Sequence, residues 1–331
     1  MTALQRRAPA FGAIRRWGPA RGIGRGMPVL NAVLVVLLST FVTFGLGALG
    51  DANPAAAVLG ETATPEDIAR MNHEFGLDRP FLEQYATWLG NALTGDLGRS
   101  WFTQIPVAES IAQRITVDLS ITGLAVLIAV LAGGTAGIGA AVRAGGVFDR
   151  TVTAVCAAAS TVPAFVVGIG LIVLFSVAVP IFPSGGYVPF EQDPVQWLRL
   201  ITLPAIALSL DAAADLARQL RTGLVGALRE NYVTGAVVRG LPARRVLLRH
   251  ALRNAAGPAV TVLGLHIPRL IGGAVVTEAV FSLPGLGQLT SEAALKHDVP
   301  VIQGALLVTI ALVLVSNLLV DLAVARLRGA R

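Results

Sequence analysis

The sequence contains few of the residues that soluble enzymes use for chemistry. Its 331 residues include one cysteine and four histidines, and only 14% are charged, whereas about a quarter are charged in an ordinary soluble domain. The single cysteine, Cys156, excludes an intramolecular disulfide. The single lysine, Lys296, precedes His297, which excludes a Walker A phosphate-binding loop because that loop requires Ser or Thr after its lysine. The histidines lack metal-ligand spacing, so the sequence gives no sign of an enzyme.

Apolar residues dominate instead. They make up 54% of the chain, and the mean hydropathy is +0.69, which indicates a membrane protein. The net charge of +6 would also suit a nucleic-acid-binding protein. The arginines, however, cluster between long apolar runs, and this distribution is typical of membrane topology.

Six apolar runs are long enough to cross about 30 Å of hydrocarbon, which takes roughly 20 helical residues. They lie at about 28–50, 116–142, 151–179, 199–221, 257–281 and 301–325. The basic segment before the first run resembles that of a signal peptide. The run itself is too long for a signal peptide, so we predict an uncleaved first helix.

The distribution of arginine predicts the orientation. Arginines concentrate in 1–27, 143–150, 218–253 and the C-terminal tail, whereas the loops of the opposite side carry few. The positive-inside rule then places both termini and the 218–253 region in the cytoplasm.

The predicted fold class is therefore all-α integral membrane, with six transmembrane helices and both termini cytoplasmic. Its parts in order are a basic tail (1–27), a first transmembrane helix (28–50), an extracytoplasmic helical loop (51–115), a five-helix core (116–325) that contains a cytoplasmic loop at about 228–255, and a short tail (326–331).

The long loop predicts a small extracytoplasmic helical cap. Thr64 is a suitable N-cap, Pro65 suits a first turn and Gly76 a stop. A second helix is predicted to begin at 78–80 and to run to about Leu93. The Pro- and Gly-rich loop at 180–198 is predicted to be irregular.

A basic segment, "RGLPARRVLLRHALRN", follows the fourth run. Read as a helix, it has a basic stripe of Arg245, Arg249 and Arg253 and an apolar stripe of Leu248 and Leu252. Gly240 suits a bend and Pro242 a first turn, so the pattern predicts a helix, an elbow and a second helix. The pattern alone leaves two interpretations open: docking into a groove of a partner protein, or lying on anionic lipid headgroups.

The stretch "GAVVRGLPARRVLLRHALRNAAGPAVTVLG" resembles the cytoplasmic loop of binding-protein-dependent ABC importer permeases, in its peptide and nickel form. In that family the loop is a coupling helix that sits in a cleft of the ATP-binding subunit. The resemblance implies this role for Ala236, Gly240, Leu241, Pro242, Arg244, Arg245, Arg249, His250, Arg253 and Asn254. The sequence departs from the motif at Thr234, where a glutamate is usual, and at Val238 and Arg239, where Ala-Lys is usual.

Three further segments resemble the same family, so that the resemblance covers about residues 30–327. They are "ATPEDIARMNHEFGLDRPFLEQYATWLGNALTGDLGRS", "VVTEAVFSLPGLGQL" and "VIQGALLVTIALVLVSNLLVDLAVARL". The turn "GDANPAA" after the first run departs from the usual "PGDPA".

The resemblance implies a multi-pass subunit of an ATP-driven importer in the bacterial inner membrane. It implies peptides as cargo, with nickel chelates or other small solutes as alternatives. The implied partners are a second homologous permease, two cytoplasmic ATP-binding subunits, an extracytoplasmic substrate-binding protein and the bilayer, but no nucleic acid. ATP and Mg would be bound by the partner subunits, so no cofactor and no catalytic residue are expected in this chain.

Ionisable residues within the apolar runs are the candidates for a pathway or gate, because a charge at membrane depth is costly. These candidates are Asp211, Asp215, Arg269 and Glu278. Arg218 and His266 are further ionisable residues of the same runs. For Asp211, Asp215 and Arg269, one interpretation is structural, either an Asp215–Arg218 pair or an Asp211–Arg269 pair. The other interpretation is a path that binds the charged ends of a peptide. For Glu278, a gate and a cap of the following turn are both open.

Two other predictions concern the second run. Asp118 is expected to pair with Arg114 at i, i+4. The glycines of this run are expected to allow close helix packing; they are Gly133, Gly134, Gly137 and Gly139.

Two functions from other classes are weighed against the importer. A secondary transporter with the intramembrane acids as a proton relay predicts inverted repeats, and none is visible in the sequence. A lipid-anchored scaffold without transport does not explain the helical cap together with the loop motif.

Overall fold

A computed structural model describes residues 26–50, 53–272 and 274–329, which are helical with no β-strand among them. The basic tail predicted for 1–27 therefore lies almost wholly outside the described residues. The helices are α1 (Gly26–Ala48), α2 (Pro54–Leu59), α3 (Pro65–Glu74), α4 (Phe81–Leu93), α5 (Val107–Ile128), α6 (Gly134–Val142), α7 (Val147–Ala159), α8 (Ala164–Ile172), α9 (Pro194–Leu228), α10 (Asn231–Val238), α11 (Ala243–Arg245), α12 (Leu252–Gly272), α13 (Val275–Val280), α14 (Leu286–Lys296) and α15 (Val299–Gly329). Three π-helical segments join or extend them: Ala129–Gly133, Val173–Ala178 and Val246–Ala251.

Four of the described helices are long and apolar enough to cross a membrane, and a bent pair of helices makes a possible fifth span. The four lie at Val29–Ala48, Val107–Val142, Pro194–Leu228 and Val299–Leu327. The all-helical membrane fold is confirmed. The count of six spans and the cytoplasmic side of both termini stay predictions.

Several helices begin or end away from the predicted span boundaries. The second span begins at Val107, within the predicted loop, and α9 begins at Pro194, within the loop expected to be irregular. The predicted third span is bent by 100° between α7 and α8, where Pro163 has no amide hydrogen to continue the helix. The predicted fifth span is divided between α12 and α13.

Helix α9 lies at the centre of the fold and packs against α5, α6, α7, α8 and α12. Glycines let α6 approach it closely: a Cβ atom on Gly137 would lie 2.6 Å from the carbonyl oxygen of Ala217, and one on Gly133 would overlap the backbone of Ala213. The space beside Gly134 is open, so this glycine does not serve packing.

The predicted helices of the cap are present as α3 and α4. Thr64 and Asp67 form a reciprocal capping box at the start of α3, and the hydrogen bond from the Thr64 hydroxyl lowers the pKa of Asp67. The chain after the cap is tied to the start of α15, because the buried Asp298 carboxylate accepts hydrogen bonds from the Ser100 hydroxyl (2.6 Å) and the Trp101 amide (3.2 Å).

A bidentate ion pair joins the first turn of α7 to α9. Arg221 donates from Nε and from a terminal nitrogen to the two oxygens of Asp149, each at 2.7 Å. The Gly145 amide donates a third hydrogen bond to the same carboxylate at 2.8 Å. The pair fixes the 143–150 turn against the central helix.

We expect Asp149→Asn to lower the midpoint of thermal unfolding of the purified protein by several degrees. The amide removes the charge that the Arg221 guanidinium neutralises, and its NH2 group cannot accept the second hydrogen bond. Glu191→Gln makes the same chemical change at an exposed position and should leave the midpoint unchanged. An equal midpoint for Asp149→Asn and the wild type would contradict the assignment.

Candidate functional site

Residues 231–254, here called the basic elbow, have the predicted helix–turn–helix form. Helix α10 ends at Val238, and the chain turns at Gly240, whose φ is +76°. The space that a Cβ atom would occupy on Gly240 is empty, so glycine is needed there for its backbone conformation rather than for its size. Two hydrogen bonds close the turn, from the Gly240 amide to Val237 O (2.9 Å) and from the Leu241 amide to Ala236 O (3.2 Å).

An apolar cluster holds the two arms of the elbow together. It consists of buried Val233, Ala236 and Val246, with Leu228 and Leu241 packed against them. Ala236 is 0% exposed, so it stabilises the elbow and offers no surface of its own to a partner.

The outer face of the elbow carries the predicted basic residues. Six of the residues predicted to contact the partner are exposed: Pro242, Arg244, Arg245, Arg249, Arg253 and Asn254. Leu241 and His250 are half-buried. The amide nitrogen of the Asn254 side chain donates to the Tyr232 hydroxyl at 2.9 Å and so links the second arm to the first. Leu248 is exposed among the arginines.

A π-helical segment, Val246–Ala251, interrupts the predicted basic stripe. A π-helix has more residues per turn than an α-helix. Arg245, Arg249 and Arg253 therefore do not follow the regular i, i+4 spacing of one α-helical stripe, although all three are exposed. The periodicity of the sequence carried no signal of this segment.

Within the membrane span of α9, His266 of α12 contacts two carboxylates. Its Nε2 lies 2.9 Å from Asp215 Oδ2, and its Nδ1 lies 3.6 Å from Asp211 Oδ2. Arg218 forms the predicted ion pair with Asp215 and also donates to the Ser160 hydroxyl at 3.3 Å. The sequence marks His266 only as an ionisable residue of the fifth apolar run, whereas the structure places it at the centre of this cluster.

The predicted Asp211–Arg269 pair is wrong: in the part of the chain that the structure describes, no ion pair joins these residues. His266 lies one turn before Arg269 on α12 and occupies the position facing α9. Arg269 itself is exposed.

The atoms of this cluster do not fit a metal site, although one ligand atom from each of Asp211, Asp215 and His266 lies within 4.8 Å of the others. The two ring nitrogens of His266 face different carboxylates, and a metal ion reaches only one ring nitrogen of a histidine. The Arg218 guanidinium also neutralises Asp215. We interpret the cluster as the Arg218–Asp215 ion pair extended by a hydrogen bond to His266, with Asp211 3.6 Å from the other ring nitrogen.

Glu278 and Asp118 cap the N-terminus of α14. The Gln288 amide donates to Glu278 Oε2 and the Leu286 amide to Asp118 Oδ2, each at 2.8 Å. Of the two interpretations of Glu278, the structure shows the cap. The predicted Arg114–Asp118 pair is wrong, since no ion pair joins them among the described residues and the buried Asp118 instead faces α14.

Two glycines make room for the Glu278 carboxylate. A Cβ atom on Gly287 would lie 2.8 Å from Glu278 Oε1, and one on Gly285 would overlap the carboxyl group.

We expect Gly287→Ala to destabilise the protein by about 1–3 kcal/mol, as overpacking does elsewhere, measured by thermal unfolding in detergent. Gly134→Ala, where the space is open, is the control and should not destabilise. Equal stability of the two variants would contradict the close approach of Glu278 to this turn.

Two models of known protein families match this chain. A model described as "Binding-protein-dependent transport system inner membrane component" matches residues 133–329, which contain α9, the basic elbow, α12 and α14. The N-terminal model of the same system matches residues 27–122, which contain α1 and the cap. The chain belongs to this permease family.

Similar permeases are found in several bacteria. A protein named as a peptide transport system permease of Brucella abortus (strain 2308) is 39% identical over 89% of this chain and 94% of its own. A protein named as a peptide ABC transporter permease of Sinorhizobium fredii is 35% identical over 89% of this chain and 94% of its own. The dipeptide transport system permease of Escherichia coli (strain K12) is 34% identical over 86% of this chain and 91% of its own.

Membership of this permease family establishes the place of the chain in the cell. It is a multi-pass component of the bacterial inner membrane and of an ABC importer that depends on a binding protein. Such a system includes an ATPase and a substrate-binding protein. The chain is thus a transport subunit that works with partners.

Proposed function

We propose that this permease carries peptides across the inner membrane. The observation that supports this most is the identity of 34–39%, over 86–89% of the chain, to permeases that are named for peptide or dipeptide transport. An extracytoplasmic binding protein hands the peptide to the outer face, and a second homologous permease shares the pathway.

The basic elbow is the docking site for one cytoplasmic ATP-binding subunit, and a second such subunit docks on the partner permease. Its turn is fixed by Gly240 and its arms by an apolar cluster, so the elbow can transmit motion as a rigid body. ATP and Mg are bound by those subunits, and the present chain performs no covalent step; the absence of a Walker A sequence supports this division.

Deletion of the gene tests the proposal. We expect loss of uptake of labelled di- to tetrapeptides, with nickel uptake measured in the same cells. If nickel uptake were lost and peptide uptake unchanged, the cargo would be nickel chelates and not peptides. If neither changed, the cargo assignment would be wrong, and co-purification with the ATP-binding subunits would then test the partnership separately.

A secondary transporter is the second candidate, because Asp211, His266 and Asp215 form a contiguous set of titratable groups. Collapse of the proton gradient with a protonophore distinguishes it from the importer. The importer predicts uptake that stops with vanadate and persists, while ATP is held constant, after addition of the protonophore. The opposite pattern would establish the relay.

A further inference from the structure

Two opposite charges lie exposed at one level of the helix bundle, halfway along the apolar helix α9. Asp211 is the central residue of the 35-residue helix α9, which places it about 25 Å from either end at 1.5 Å per residue. Its side chain is 46% exposed. A carboxylate at this depth is too costly to face lipid, so it faces water, a solute or a partner chain.

Arg269 lies at the same depth on the neighbouring helix. Helices α9 and α12 pack together and run antiparallel, because the basic elbow connects them. His266 is level with 211–215, and Arg269 lies three residues, or roughly 4.5 Å, further along α12. On the antiparallel α9 this is the direction from Asp215 toward Asp211, so Arg269 is level with Asp211.

The neighbouring charges leave this pair of groups unneutralised. Asp215 is neutralised by Arg218 and bonded to His266. The only ionic contact of Asp211 among the described residues is the one to His266 Nδ1 at 3.6 Å, which is longer than a hydrogen bond. Arg269 is exposed, and within the described ranges it has no hydrogen bond and no ion pair.

We propose that Asp211 and Arg269 form a two-point site for a short zwitterionic peptide in the pathway. The Asp211 carboxylate accepts hydrogen bonds from the α-ammonium group of the peptide. The Arg269 guanidinium donates two parallel hydrogen bonds to its α-carboxylate. The His266–Asp215–Arg218 network lies beside Asp211, with His266 Nδ1 3.6 Å from its carboxylate, and does not itself touch the peptide. The inference rests on the proposed transport of peptides and adds that both free termini are recognised within the membrane.

The test uses the complete transporter, with its ATP-binding subunits, in proteoliposomes. The binding protein is saturated with a free dipeptide, with the N-acetylated dipeptide or with the C-amidated dipeptide. The dipeptide is chosen so that the isolated binding protein binds its free and blocked forms with equal affinity. Wild-type transporter should carry the free dipeptide about tenfold faster than either blocked form. Asp211→Asn should remove the preference over the N-acetylated form alone, and Arg269→Gln the preference over the C-amidated form alone.

Controls separate recognition from assembly. Asp211→Glu keeps the charge and should keep the preference, and Glu191→Gln, in an exposed loop, should behave as wild type. The two-point site would be overturned if the variants retained the wild-type preference. It would also be overturned if they slowed free and blocked peptides equally, and that result would assign both charges to contacts with the partner permease. If the wild type carries no peptide at all, the proposed function itself fails and the site fails with it.

Discussion

Replacing Gly240 with valine is expected to reduce peptide uptake by about tenfold or more while the protein remains in the membrane. The φ of +76° at this position is strained for any L-residue with a Cβ atom, by roughly 1–2 kcal/mol, and more for a β-branched one. No atom lies within 4 Å of the added Cβ, so the Cβ atom itself does not clash and the backbone strain is the expected cause of the loss. The strain shifts the elbow to other conformations and weakens its fit to the ATP-binding subunit.

Asparagine provides the matched control for this prediction. Among residues with a side chain, it adopts the left-handed region most readily, so Gly240→Asn should retain most of the uptake. Uptake and co-purification of the ATP-binding subunits are measured in the same membranes. If the Gly240→Val variant takes up peptide and co-purifies with the ATP-binding subunits as well as the Gly240→Asn variant does, the elbow does not depend on the left-handed turn.

Reversing the charge of Arg245 and Arg249 together to glutamate is expected to abolish uptake. Both side chains are exposed on the outer face of the elbow, so the change alters the surface and leaves the apolar cluster of Val233, Ala236 and Val246 intact. Like charges brought together at a docking surface cost several kcal/mol. The ATP-binding subunits should therefore no longer co-purify with the permease.

The same experiment decides between the two interpretations of the basic residues. If the arginines only lie on anionic lipid, the glutamate variant should still co-purify with the ATP-binding subunits, and Arg→Lys at both positions should be as active as the wild type. If they form directed contacts with the ATP-binding subunit, lysine should restore uptake only in part, because it lacks the planar guanidinium. Wild-type uptake by the glutamate variant would refute the coupling role.

Local sequence patterns determined the helical cap and the basic elbow. The signals of a helix start, such as Thr64 before Pro65, and of a left-handed turn, such as Gly240, act over three or four residues. They are therefore readable without knowledge of the fold. The apolar runs likewise predicted the membrane class, although the bend of the third span and the division of the fifth were not foreseen.

Only the tertiary structure decided which charges meet. The sequence placed Asp211 and Arg269 at matching depths, but the rotation of α12 about its axis brought His266 to the carboxylates instead. Asp118 likewise faces α14 rather than Arg114 on its own helix, and Glu278 reaches the same helix through room made by Gly285 and Gly287. Partners between helices depend on axial rotation and on the reach of each side chain, and residue spacing within one helix specifies neither.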